Sequence, residues 1–222
     1  MLTLANREVA DMTKIFTKTA VLAAMTAASS VSAQDTVGDW YASVFAGASF
    51  LSDYEYEYTD AGSDIEASQE AEPGYIVGVT IGTSFAPSIR AEAEVSYVEY
   101  GRGDVTLSGD GYRRTYSGGG DLEATYLLGN VWSDLTPMGG GATPYIGAGL
   151  GVVQVDAGGG VDDSTFAYQV GAGAKLAVGT ATLDVGYRLK GTGKLGFEVE
   201  GEAIDVDPTT SNNLQAALVL TF

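Results

Sequence analysis

Eight stretches of this chain alternate apolar residues with small or polar ones at a period of two, and no stretch carries a convincing helical period. They are Trp40 to Leu51, Tyr75 to Phe85, Ile89 to Tyr100, Leu122 to Ser133, Tyr145 to Val155, Phe166 to Leu176, Thr182 to Lys190 and Asn213 to Phe222. Each is close to the ~9–11 residues with which a tilted strand crosses a bilayer. Long or polar connections at 52–74, 101–121, 156–165 and 191–212 alternate with shorter ones at 86–88, 134–144 and 177–181. An even number of strands joined in this way is the plan of an outer-membrane barrel, with loops outside and turns in the periplasm.

Alternation alone does not say which face meets lipid, since a soluble barrel with an apolar inside has the same period. One face reads Trp40, Ala42, Val44, Ala46, Ala48 and Phe50, then Ile89, Ala91, Ala93, Val95 and Tyr97. It continues through Ile146, Ala148, Leu150 and Val152, through Leu183, Val185, Tyr187 and Leu189, and through Leu214, Ala216, Leu218, Leu220 and Phe222, with no charge anywhere. The opposite face carries Gly78, Gly82, Gly147, Gly149, Gly151, Gly171, Gly173 and Gly186 with isolated charges between them. Glycine weakens a strand and suits a crowded interior better than a water-facing wall. The apolar face is therefore read as outward, to lipid; a soluble periplasmic barrel is the competing arrangement. Trp40, Phe50, Tyr75, Phe85, Tyr97 and Trp132 lie near segment ends, where aromatic rings suit the headgroup level.

Composition removes several classes of function. The 222 residues carry 11 Lys and Arg against 29 Asp and Glu, a net charge of −18 that repels nucleic acid. With no Cys and no His, there are no disulfides, thiolate or imidazole metal sites, or imidazole bases. At the N-terminus, Lys14 and Lys18 precede the apolar stretch Ala20 to Ala28 and the small-residue site Val31-Ser32-Ala33. That order marks residues 1–33 as a signal-peptide region, with Met12 as the start and cleavage after Ala33. The remaining 34–222 form one barrel domain.

Following the alternation inward gives a candidate charge network of Arg90, Glu92, Glu94, Glu123, Lys175, Asp184, Arg188 and Lys190, with Gln169, Gln215 and Thr125 to complete its hydrogen bonds. The interior of an eight-stranded barrel is just wide enough for side chains to fill, so these charges must pair. The arrangement favours a packed polar plug over an ion path. Glu92 and Glu94 face the same way, but no nucleophile has an identifiable base, so catalytic residues, cofactors and a defined metal site are not expected.

Outside the barrel, residues 52–74 hold eight acids and no base, and 191–212 hold five acids against Lys194. These read as solvated acidic surface, with divalent cations as the sharper alternative. Tyr54, Tyr56 and Tyr58 alternate with Glu55 and Glu57, which suggests that the first hairpin continues above the membrane. Arg102, Arg113 and Arg114 set the connection 101–121 apart and suit lipopolysaccharide phosphates or the neighbouring acidic loops.

Trp40-Tyr41, PYIGAGLGV at 144–152, FAYQVGAGAKL at 166–176, ATLDVGYRLK at 181–190 and the final LQAALVLTF resemble the eight-stranded outer-membrane β-barrel family. That family includes the OmpA-like transmembrane domain, the opacity proteins and small porin-family surface antigens. The resemblance spans the mature chain and implies an all-β, eight-stranded, antiparallel up-and-down transmembrane barrel in the outer membrane of a Gram-negative cell. Leu218, Leu220 and Phe222 are similar to the C-terminal signal read by the barrel-insertion machinery. The sequence departs from OmpA itself in stopping at Phe222, so the peptidoglycan-binding domain that follows the barrel there is not expected. The function expected is non-enzymatic, structural or surface-interacting, among outer-membrane lipid and lipopolysaccharide; a small transport channel is the alternative.

Overall fold

The computed structural model describes residues 38–52, 54–60, 63–109, 112–116, 121–138, 141–157, 162–179, 181–199 and 202–222, with backbone alone along 54–60 and 63–71 and at some positions between 102 and 113 and between 197 and 205. The proposed signal-peptide region 1–33 lies outside these residues. Among the described residues thirteen strands form in chain order: β1 (Trp40–Leu51), β2 (Tyr54–Asp60), β3 (Ser63–Ala71), β4 (Gly74–Ala86), β5 (Ile89–Gly109), β6 (Tyr112–Tyr116), β7 (Asp121–Asp134), β8 (Ala142–Asp156), β9 (Asp162–Val178), β10 (Ala181–Thr192), β11 (Leu195–Val199), β12 (Glu202–Val206) and β13 (Thr210–Thr221).

Eight of them close a ring. β1, β4, β5, β7, β8, β9, β10 and β13 pair antiparallel in that order, and β13 returns to β1 in an unbroken register from Tyr41↔Thr221 to Leu51↔Ser211. Closure leaves no barrel strand with an unpaired edge, which is what allows a sheet to stand in hydrocarbon. The short turns lie together at one end, here the lower end. Pro87 begins one of them, and Gly141 and Gly179 adopt the positive φ that the other two require.

Above the ring the wall continues. Past Gly101, β5 exchanges its barrel neighbours for β3 on one side and β6 on the other. β2 pairs with β3 and, through Tyr56↔Val206 and Glu57↔Asp205, with β12, which pairs with β11. The resulting order β6-β5-β3-β2-β12-β11 extends the strands β7, β5, β4, β1, β13 and β10 upward, and among the described residues β8 and β9 have no such extension. The first hairpin thus rises above the barrel as its Tyr/Glu alternation suggests. The strands inside 101–121 and 191–212 are additions that the sequence reading treated as loops.

Register places the apolar face outward. Leu127, Val131, Ile146, Leu150, Val152, Val185, Leu214 and Leu218 are all exposed, with Leu150 at 62%. From Trp40 to Phe50 the band spans ten steps of about 3.3 Å, or ~25 Å at the usual tilt, the height of a membrane barrel's apolar belt. Trp40, Phe85 and Phe222 rim its lower margin; Phe50, Tyr75, Phe166 and Tyr187 rim its upper one. Two aromatics depart from the expected girdle. Trp132 falls on the inward positions of β7 and is 1% exposed, and Tyr97 faces outward but is covered, its ring 6.3 Å from Tyr75 and its hydroxyl donating to Glu99.

Arginine at Leu150, mid-height on the lipid face, is expected to cost about 2–4 kcal/mol of stability, whereas Gln154→Arg near the upper margin costs about 0–1 kcal/mol. Denaturant unfolding in lipid vesicles distinguishes the two; equal costs would contradict the placement of the belt.

Candidate functional site

The inward face is built on a trade between glycine and bulk. A methyl group at Gly82 would fall on the Tyr41 ring, at Gly78 on Phe45, at Gly147 on Trp132, at Gly149 on Asn130, at Gly171 on Arg188 and at Gly173 on Tyr145. Each of these glycines stands on the neighbouring strand directly opposite the side chain it admits, as with Tyr41↔Gly82. Small and large residues alternate around the ring until the interior is filled.

In the lower half the filling is ionic and aromatic. Arg90 donates from Nε to Asp134 at 3.2 Å and from Nη1 to Glu92 at 3.1 Å, and Lys175 donates to the other oxygen of Asp134 at 2.7 Å. Glu92 also accepts from Tyr41 at 2.8 Å and from the Trp132 indole at 2.7 Å. Arg188 lies 4.1 Å over the Trp132 ring and donates to the Tyr145 hydroxyl, which in turn donates to Asp184, so arginine and aspartate are joined through a tyrosine. A cavity of about 770 Å³ opens at the lower mouth, lined by Asp134, Thr143, Lys175 and Thr182 among others.

At mid-height a single carboxylate and its cation gather five hydrogen bonds. Glu94 accepts from Lys190 at 2.5 Å, Ser96 at 2.8 Å, Asn130 at 3.0 Å and Gln169 at 2.8 Å, while Lys190 donates further to Ser96 and sits 4.6 Å over the Tyr126 ring. Of those bonds four end on Glu94 and one ties its cation to Ser96. The Lys190 and Glu94 side chains are 0% and 4% exposed. Burying such a pair costs several kcal/mol per ion, and it persists only because every remaining lone pair and proton is satisfied. Among the described residues, only Arg90 Nη2, Gln169 Oε1 and Gln215 Oε1 are buried without a protein partner.

Above that pair the interior turns apolar. Ile76, Val98, Tyr100, Ala124, Tyr126, Leu128, Val153, Val155, Ala167 and Leu195 form one buried cluster, with Leu51, Leu122 and Val206 packed against it. Ser49 links to Tyr100 and Asn213 by hydrogen bonds of 2.7 and 2.6 Å within this layer. Leu195 belongs to β11, so the extended wall helps to cap the barrel.

Seven of the eight residues read as the interior network, Arg90, Glu92, Glu94, Lys175, Asp184, Arg188 and Lys190, lie inside and fall into two clusters, one around Asp134 and one around Glu94. Glu123 does not join them. It pairs with Glu99 and Asp156 on the outward side of β7, at the upper margin, because inward positions on that strand are the even ones from Leu122 to Trp132. Thr125 shares that outward side, while Gln169 bonds to Glu94 and Asn130. Asp134 was passed over because it sits at the last position of its strand, where a sequence boundary assigns it to the turn. The apolar cap was legible by the same alternation: Ile76, Val98, Val153 and Val155 are all inward positions. Among the described residues, no three acidic side chains come together as a metal-binding set. The acidic side chains of 54–60 and 63–71 lie outside the described ones.

Residues 19–222 match the family described as the outer membrane protein beta-barrel domain. The chain belongs to that family. Its location is the cell outer membrane, the long-connection end of the barrel facing outward. Among solved structures, the crystal structure of Neisserial surface protein A is 19% identical, with 87% of this chain and 100% of that one covered at a TM-score of 0.53. Outer membrane protein AlkL, in lipid bilayers, is 16% identical over 88% and 95% of the two chains at 0.49, and the outer membrane protease OmpT of Escherichia coli 9% identical over 86% and 100% at 0.47. The first of these likenesses shows the shared barrel fold. No curated protein matches the chain.

In this barrel, Lys190→Met is expected to lose about 3–5 kcal/mol, since Glu94 is then a buried charge without its cation. Adding Glu94→Gln should return part of the loss. Denaturant unfolding of both single variants and the double variant measures the coupling; strict additivity would mean that the two groups do not act as a pair.

Proposed function

We propose that this outer-membrane barrel is a non-enzymatic surface protein, anchored by a filled interior and working through the sheet that stands above the membrane. The observation that carries the reading is the continuous filling of the barrel. The lower clusters contain Glu92, Glu94, Asp134 and Asp184 against Arg90, Lys175, Arg188 and Lys190, a balanced set of fixed charges. The apolar cluster from Ile76 to Leu195 then seals the upper half. An ion crossing it would have to give up its water among Val, Ile and Leu side chains, a cost that a dry layer imposes on any permeating charge.

Against catalysis stands the occupation of the inward carboxylates: Glu92 is held by Arg90, Tyr41 and Trp132, and Glu94 by Lys190, Ser96, Asn130 and Gln169. A general acid or base needs a free approach to substrate. At the C-terminus, Leu218 and Phe222 are exposed on the lipid side, as an insertion signal read by assembly machinery requires.

Single-channel recording of the purified protein in planar bilayers is expected to show no steady open level. Stable openings with a defined conductance would replace this reading with that of a small transport channel.

A further inference from the structure

The extended sheet ends in two edges that face each other across the gap above β8 and β9. Among the described residues no strand stands between β6 and β11, and at about 4.8 Å per strand the two positions above β8 and β9 span about 14 Å. The β11 edge is partly closed from below, since Gly196 N donates to Asp163 Oδ2 and the preceding Gly193 N to the Phe166 carbonyl, both at 2.8 Å. β6 differs. It pairs with β5 from Val105↔Tyr116 to Gly109↔Tyr112, and among the described residues no strand covers its other side. Arg114, Thr115 and Tyr116 are exposed in succession, so this part of the strand is open on both faces as well as along its edge. A row of unpaired N–H and C=O groups is a template for another extended chain.

Charge selects the occupant. On a chain with 29 acids and 11 bases, Arg113 and Arg114 are consecutive on β6, one to each face of the sheet, and Arg102 lies on β5 opposite Ala71. At the other edge Lys194 is paired with Asp207 at 3.1 Å. A second copy of this strand would set arginine against arginine in the gap, which cross-strand pairing disfavours. We propose that the edge of β6 docks an acidic, extended segment of another polypeptide, which adds a strand to the sheet and sets its carboxylates on the face that carries Arg114. The inference rests on the surface-protein reading above and names the chemistry of the partner.

The test uses the full chain in bilayer nanodiscs of neutral lipid, with three short synthetic peptides of equal length: one alternating Glu and Val, one alternating Lys and Val, and one with the Glu–Val sequence N-methylated at every backbone nitrogen. Amide exchange across 112–116 is the readout, and exchange in β1 and β13 confirms that each variant is folded. The Glu–Val peptide is expected to slow exchange in β6 by roughly tenfold or more, the Lys–Val peptide not to, and the N-methylated peptide to bind at least about tenfold more weakly because it has no backbone N–H to give to the edge. Arg113→Glu with Arg114→Glu should reverse the preference between the acidic and basic peptides, and Lys194→Glu should leave it unchanged. Equal binding by the N-methylated peptide, no protection by the Glu–Val peptide, or an unreversed preference would each overturn the proposal. Protection that grows with protein concentration alone would make a second copy the occupant and overturn it as well. Failure here leaves the absence of conductance untouched, whereas steady conductance would refute the surface-protein reading by itself.

Discussion

An eight-stranded wall is too narrow for a column of water and too wide to close on its own backbone, and the rest of this structure follows from how that space is filled. Glycine on one strand admits bulk from another. Gly147 makes room for Trp132, Gly171 for Arg188 and Gly173 for Tyr145, and those three large side chains then stack on one another beside Asp184. The charged groups are not scattered in the lumen; they are carried there on aromatic supports that fix where each charge ends. A carboxylate so placed is stable only with its cation and its hydrogen-bond donors in reach, which is why removing a single partner is costly while the intact set is not.

The barrel itself was legible because its two faces obey different rules. Lipid demands an uninterrupted apolar face, and Val44, Leu150, Val185 and Leu218 supply it without a charge; crowding demands small residues on the other, and the glycines of β8 and β9 supply those. The same alternation places Arg90 through Lys190 inside. It failed at Glu123, where a strand whose inward positions are even was read one step out of register, a slip that moves a side chain to the opposite face. Trp132 was misread with it, as a girdle residue. Neither the Tyr145 bridge between Arg188 and Asp184 nor the convergence of Asn130 and Gln169 on Glu94 has a local signature, since the hydrogen-bonded partners lie 36 or more residues apart in sequence.

Above the membrane the rules change, and sequence periodicity becomes a weaker guide. Water on both sides removes the requirement for an apolar face, so β6, β11 and β12 are short strands with little alternation, and their pairing comes from continuing the barrel's register upward. The long β5 carries that continuity, since it belongs to the ring as far as Gly101 and to the upper sheet beyond it. Rigidity is thereby transmitted from the membrane to the surface, where β6 is held at a fixed height and orientation. The upper sheet also returns something to the barrel: Leu195 and Val206 pack into the apolar cap that separates the charged interior from the outside.

The central claim is that Lys190 and Glu94 form a dry, fully satisfied pair sealed between the apolar cap and the lower cluster. Nuclear magnetic resonance of lysine ammonium groups tests it most directly, because an ammonium gives a persistent proton signal only where water exchanges slowly. Lys194, exposed beside Asp207, provides the internal comparison. A slowly exchanging Lys190 signal correlated with Glu94, alongside a rapidly exchanging Lys194, is the result the filled barrel predicts. Equally rapid exchange at both lysines would place bulk water in the interior and contradict it.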